Sequence, residues 1–344
     1  MAANIEATLP AELYEAESNV LDTYPDVVIQ NALPHYFSRQ PDCWNIGIAY
    51  FESAKWTQIN WHSYCNLMDE IWVSSKAEEN ILRKSGVKTR ISIVPMPIDT
   101  SWLSKDAAPL DIPNIDDSYV FYYIGEMIHR KNIEGLIIAF HREFTKNEPV
   151  KLVIKTTKLL HSSEELSVVM QQQISDIKSK MRLYQNEDLY ASEFLITDFL
   201  NQQELAGLHK LGDCLVLPSR GESLSRPVME AMYMGNDVIV TNDTGMADLV
   251  GDCGFLVESH ETPVYVPDPP LANLYTSWET WREPSIIDLQ RQMRAAYESS
   301  DEARTARREK AQHRLDSFSC DSIATLINQH LSIIDGRVDG LPLV

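Results

Sequence analysis

The stretch CLVLPSRGESLSRPVMEAMYMGNDVIVT, residues 214–241, decides the fold. It opens on a short apolar run, residues 214–217, closed by Pro218, the pattern of a buried strand. A polar loop, residues 219–226, follows. Pro227 then begins a helical pattern with apolar Val228, Met229, Ala231 and Met232. Proline suits the start of a helix, where its missing N–H costs nothing. Gly235 reads as the left-handed cap, and residues 238–240 as the next strand. A loop aimed at a helix N-terminus meets free N–H groups and the positive end of the dipole, which favours anions. Two carboxylates fall there, Glu222 in the loop and Glu230 in the expected first turn. An acid near a helix start has an ordinary explanation, dipole stabilisation of a few tenths to about 1 kcal/mol. For Glu230 alone that explanation stands level with a functional one. For both acids, with Pro227 between them and a buried strand before them, it weakens.

The residues also resemble a known pattern. Pro218-Ser219, Gly221-Glu222, Pro227, Glu230-Ala231-Met232 and Gly235 are similar in spacing to the signature of retaining, nucleotide-sugar-dependent glycosyltransferases of GT-B architecture. The resemblance implies an α/β fold of two Rossmann-like domains with parallel sheets facing across a cleft. It implies that Glu222 lies by the donor sugar and Glu230 bonds the nucleotide ribose. Backbone groups of Ser223, Leu224 and Ser225 would assist at the helix start; the family often has Gly-Phe-Gly there, so the sugar pocket is expected to differ in shape.

Working outward, residues 119–124 read as a strand followed by Gly125, with a helix from about Asn132. By itself, the basic pair Arg130-Lys131 before that helix reads more readily as a solvated loop. The resemblance reverses this, because the family binds the donor diphosphate through a Lys at the Lys131 position. The family's Arg after the glycine is replaced by Glu126, and Arg130 or Arg226 is expected to substitute. Gly245, in a turn after the strand, matches a place where the family sets backbone against the donor sugar; a plain turn is the competing reading. Further strands are expected at 27–29, 46–50, 71–73, 91–94, 150–154 and 193–197, and helices at 6–22, 54–68, 75–85, 163–182, 201–210, 286–299 and 302–335. Residues 262–285, rich in proline and aromatics, read as an irregular loop with some ordered packing; Glu52, after a first-domain strand, has two readings, facing the cleft or, more readily, a solvated loop acid. The implied domains are 1–105, a shortened acceptor-side domain; 106–118, a linker; 119–300, the nucleotide-sugar domain; and 301–344, helices that pack back on the first domain.

The 344 residues carry 50 acids against 30 Lys and Arg, a net charge of −20. That balance counts against nucleic-acid or anionic-membrane partners. No apolar run reaches transmembrane length. Five scattered cysteines without a CxxC suggest reduced thiols in a cytoplasmic protein. No Asp-x-Asp and no HExxH occurs, so no metal and no other cofactor is expected beyond the nucleotide-diphosphate sugar as co-substrate. Only about 100 residues precede the linker. Either the first domain is pared down, or the chain is truncated, or another polypeptide completes it; an exposed sheet edge would favour a homo-oligomer or a partner chain. The expected function is a retaining, metal-independent glycosyltransferase. The alternative is a non-catalytic nucleotide-sugar-binding or scaffolding subunit of the same fold. The sugar, the nucleobase and the acceptor are left open.

Overall fold

The computed structural model describes residues 24–56, 60–115, 117–265 and 275–338, without the side chains of 335–338. The helix expected at 6–22 lies outside the described residues. Two all-parallel sheets organise the chain, as the α/β reading implied. The first has four strands in sequential order: β1 (Val27–Asn31), β2 (Trp44–Ile48), β3 (Glu70–Val73) and β4 (Arg90–Ile93). Side chains alternate across it. Ile71 and Val73 join Phe51, Trp56, Trp61 and Leu82 on one face, and Trp72 joins Ile46 and Val94 on the other.

The second sheet has six strands: β5 (Tyr119–Glu126), β6 (Val150–Thr157), β7 (Glu193–Ile196), β8 (Cys214–Leu217), β9 (Asp237–Thr241) and β10 (Phe255–Val257). Their order, β10-β9-β8-β5-β6-β7, is that of a doubly wound nucleotide-binding sheet. It is buried on both faces, which explains the continuous apolar runs of β8 and β9. The sequence pattern missed β10, whose three residues are too short a run to register.

Between β2 and β3 the chain is not the helix expected over 54–68. Among the described residues of this stretch only α1 (Trp61–Cys65) is helical, and Lys55 instead bridges to Thr280 in antiparallel fashion. The aromatics that suggested helical packing, Trp56 and Trp61, stack edge-on with ring centroids 5.2 Å apart in the first core. Helix α2 (Lys76–Lys84) follows β3, capped by Ser75, whose side chain accepts from the Glu78 N–H. In the second domain α3 (Ile133–Glu143), α4 (Ser163–Met181) and α5 (Gln202–Leu211) connect the strands up to β8. Asn201 caps α5 with a reciprocal capping box through Glu204. Helices α6 (Arg226–Met234) and α7 (Gly245–Val250) flank β9.

Residues 262–285 are not simply irregular. β11 (Ser259–Pro263) and β12 (Thr280–Pro284) form an antiparallel pair. α8 (Ile286–Tyr297), α9 (Asp301–Asp316) and α10 (Cys320–Val338) close the chain, so the single helix expected over 302–335 is two, broken at 317–319. The break serves contact with the first sheet's exit: the Ile98 N–H donates to the Phe318 carbonyl at 2.9 Å. Beyond it, Leu326, Ile327, Leu331 and Ile334 of α10 cover Ile46 and Trp72.

Candidate active site

β5 and β8 lie side by side in the second sheet but are not consecutive in the chain. Their connections leave in opposite directions, opening a crevice at the strands' C-terminal ends, the place where open α/β sheets hold ligands. Two loops meet there. The loop after β5 carries Arg130 and Lys131; the loop after β8 carries Arg220, Gly221 and Glu222. Strand β5 runs two residues further than its pattern indicated, because β6 continues alongside it: Gly125 pairs with Thr156 and Glu126 with Thr157. Gly125 therefore lies inside the strand.

The loops are sewn together before any side chain of interest is placed. Asn132, in a left-handed conformation at the start of α3, accepts from the Gly135 N–H at 3.2 Å and donates to the Pro218 carbonyl at 3.1 Å. The Arg220 N–H donates to the Arg130 carbonyl at 2.7 Å. On this frame Glu222 meets both basic residues. Arg130 Nη1 lies 2.9 Å and Lys131 Nζ 2.5 Å from Glu222 Oε1. The same Nη1 donates to the Gly221 carbonyl at 2.7 Å. Burial by itself would raise the Glu222 pKa, but the charges of Lys131 and Arg130 outweigh it and hold the carboxyl below its ordinary value.

The cluster crosses the cleft. Arg130 Nη2 lies 2.9 Å from Glu52 of the first domain. The solvated-loop reading of Glu52 is thus overturned: its side chain is 30% exposed and ion-paired. The backbones are equally close. A Cβ at Gly221 would lie 1.6 Å from the Glu52 carbonyl oxygen, and one at Gly245 would lie 1.5 Å from that of Ser223. Only glycine permits either approach. The Gly245 N–H also donates to the Glu222 carbonyl at 3.0 Å.

Ser223 and Ser225 are buried, and Leu224 is half-buried. Among the described residues, the N–H groups of these three donate to no backbone or side-chain acceptor. Buried donors without partners at a helix start are an anion-binding arrangement. Ser225 is the N-cap position of α6, and Arg226, exposed, is its first residue. No ion pair joins Arg226 to the cluster among the described residues, whereas Arg130 is at its centre.

Glu230 is not in the first turn. Because α6 begins at Arg226, one residue before Pro227, Glu230 falls in the second turn, which removes the dipole explanation for it. Its carboxylate ends a buried polar chain. Glu230 Oε2 lies 3.4 Å from His209 Nε2, and His209 Nδ1 lies 2.8 Å from the Tyr122 hydroxyl. Asn236 Nδ2 donates to the same hydroxyl at 3.1 Å. Full burial raises the Tyr122 pKa well above its ordinary value, so the hydroxyl keeps its proton beside Nδ1.

Three contributors carried no motif. Arg220 grips Glu283 of β12 with two nitrogens, at 2.5 and 3.0 Å, donates to the His129 carbonyl, and lies over the Trp281 ring. Glu78 of α2 is fully buried and accepts N–H groups of Phe51 and Ser74, each at 2.7 Å. Ser223 approaches this carboxyl from the second domain without completing a full hydrogen bond. His209 is the third. Arg220 adjoins the Gly221-Glu222 pair, which was the available signal; Glu78 and His209 gave none, since their partners are distant in sequence.

Residues 107–263 match the family model described as glycosyl transferases group 1. A curated relative, the serotype-specific mannosyltransferase WbdA of Escherichia coli, is 30% identical over 125 residues, 36% of this chain and 13% of that protein. The match thus spans a small part of the relative's length. Among solved structures, the sucrose-phosphate synthase of Thermosynechococcus elongatus superposes with a TM-score of 0.63 at 15% identity, over 95% of this chain and 77% of that one. The alpha,alpha-trehalose 6-phosphate synthase of Burkholderia multivorans gives 0.61 at 9% identity, over 85% and 68%. Identities this low speak to fold. Among the described residues no helix is long and apolar enough to cross a membrane. Residues 107–263 are thus similar to glycosyl transferases group 1, and the chain has the two-sheet GT-B fold of its structural neighbours.

Proposed function

We propose that this chain transfers a sugar from a nucleoside-diphosphate donor to an acceptor hydroxyl, with retention of anomeric configuration and without a metal ion. The observation that carries the reading is the Arg130–Lys131–Glu222 cluster at the switch point of the second sheet. Two cations and the partnerless N–H groups of residues 223–225 converge on one crevice, which suits a diphosphate. Glu230, in contact with His209, accepts from ribose hydroxyls in this reading. Glu222 orients the donor sugar and stabilises positive charge developing at its anomeric carbon. In the transfer the acceptor oxygen bonds to the anomeric carbon as the bond from that carbon to the phosphate oxygen breaks. The acceptor proton leaves with the diphosphate. Lys131 and Arg130 stabilise the charge that builds on the departing group. The five free cysteines fit a reducing compartment, and the cytoplasm is the proposed location.

The test is a screen of UDP-, GDP- and ADP-sugars by thermal shift and nucleotide release, without added metal, with Glu230→Ala alongside. The reading expects one nucleotide family to stabilise the protein, the effect to vanish in Glu230→Ala, and slow release of the nucleoside diphosphate. Binding with no release, even with mixed glycans as acceptors, would turn the assignment to a binding subunit. Stabilisation by none of the nucleotides would end it.

A further inference from the structure

A cavity of about 320 Å³ opens at the C-terminal ends of β1 and β2, on the side of the first sheet that faces the ion-pair cluster. Asn31, Tyr50, Glu52, Trp61 and Tyr275 line it, with the alkyl groups of Ala32, Leu33 and Ala49. We propose that this cavity is the acceptor subsite and that it takes a neutral sugar ring, not a sugar phosphate or another anionic acceptor. The inference rests on the donor assignment above and adds the class of acceptor.

Three features of the cavity carry it. First, it is joined to the centre: Glu52 is both part of its wall and the partner of Arg130, which holds Glu222. A molecule seated there lies beside the place where the donor's anomeric carbon must sit. Second, its volume is near the lower end of the roughly 300–1,000 Å³ of small-molecule sites, enough for one ring rather than a long lipid. Third, the lining chemistry is selective. Three aromatic side chains, one amide and one carboxylate offer apolar surface to the C–H faces of a sugar together with acceptors for its hydroxyls. Among the described residues no lining residue is Lys or Arg, and the charged one, Glu52, is negative. Sites for phosphate are built from arginine, lysine or converging N–H groups. Arg130, the cation paired with Glu52, directs Nη1 to Glu222 and the Gly221 carbonyl and Nη2 to Glu52. A phosphate in this cavity would face the Glu52 carboxylate, and the cation paired with that carboxylate, Arg130, is already committed to Glu52, Glu222 and the Gly221 carbonyl. The two structural neighbours described above are named for phosphorylated products; the cavity here has a different character from one that such a substrate needs.

The test uses the full chain and saturation-transfer NMR with methyl hexopyranosides and with glucose 6-phosphate. Each is measured with and without whichever of UDP, GDP or ADP the thermal-shift screen shows to bind. The expected result is saturation of the neutral glycosides, at least fivefold weaker in Asn31→Ala and Tyr50→Ala. The thermal shift by the nucleoside diphosphate should be unchanged in both variants. That readout separates the two claims, since it reports the donor site alone. Should Tyr50→Ala fail to fold, Tyr275→Ala probes the same wall. Preferential binding of glucose 6-phosphate would overturn the proposal. So would the absence of sugar binding in a protein that still binds the nucleotide.

Discussion

Glu222 sits where two cations would otherwise face each other, almost out of contact with water. Its side chain is 5% exposed, and those of Arg130 and Lys131 are 14% and 17% exposed. Removing one member of a buried ion pair costs about 3–5 kcal/mol, because the remaining charges lose their partner. Glu222→Ala should therefore lower the melting temperature sharply. A nucleoside diphosphate supplies replacement negative charge, so it should raise the melting temperature more in Glu222→Ala than in the parent protein; calorimetry with and without nucleotide reads both effects. Glu78 makes a separate prediction. Burial raises its pKa from 4.5 to about 7, against the opposing contributions of Ser223 and the Phe51 and Ser74 N–H groups. A carboxyl whose folded pKa is raised adds stability that is present below its ordinary value and is lost as pH rises through the folded value. The loss should fall between about pH 4.5 and 7 and amount to about 3 kcal/mol at most. Tyr50 is the other titrating group whose own pKa records the Glu78 charge, and it stays protonated throughout this window. Thermal melts across the range should show the decline in the parent and a flatter profile in Glu78→Gln. An equal slope in both would remove Glu78 as its source.

Secondary structure was legible where one element answers to one pattern. β8, α6 and β9 follow residues 214–241 because a buried parallel strand and an amphipathic helix each leave a local trace, and Gly235 takes the left-handed cap at φ 87°. Elements defined by partners far along the chain left little. The β11–β12 pair is held by Arg220 from the β8 loop on one side and by backbone bonds on the other, where the Ala54 N–H donates to the Thr280 carbonyl at 2.6 Å. It acts as a strap from the Glu222 loop to the first domain. Neither grip is visible in the proline- and aromatic-rich run that forms it. Arg220→Met should loosen the strap. The cost should be about 1–2 kcal/mol, since Glu283 is 30% exposed and partly screened. Hydrogen exchange at Thr280–Pro284 should accelerate, and Arg220→Lys should restore little, because a lysine cannot make the two-nitrogen contact. Unchanged exchange in Arg220→Met would show that the strap is held by backbone bonds alone.

At the scale of the molecule, the cleft is narrow because glycine permits it. Gly221 against Glu52 brings the backbones of the two domains into contact, and the Ala77 N–H of α2 donates to Asp248 of α7 at 2.7 Å. The candidate site residues Glu222, Glu230 and Lys131 were singled out by a resemblance of spacing, and the structure gathers Lys131 and Arg130 about Glu222. What spacing does not convey is the other side of the cleft. Glu52 and Glu78 belong to the first domain, and their contacts with Arg130 and Ser223 join residues far apart in the chain. The assignment of the whole rests on whether the cluster holds a diphosphate. Isothermal titration of UDP, GDP and ADP into the protein and into Lys131→Met asks this directly, with the corresponding nucleosides as controls. One nucleoside diphosphate should bind the parent and lose tenfold or more in Lys131→Met, about 1.4 kcal/mol, while its nucleoside loses nothing. Equal affinity in the two proteins, or no binding to either, would place the diphosphate elsewhere and contradict the donor site described here.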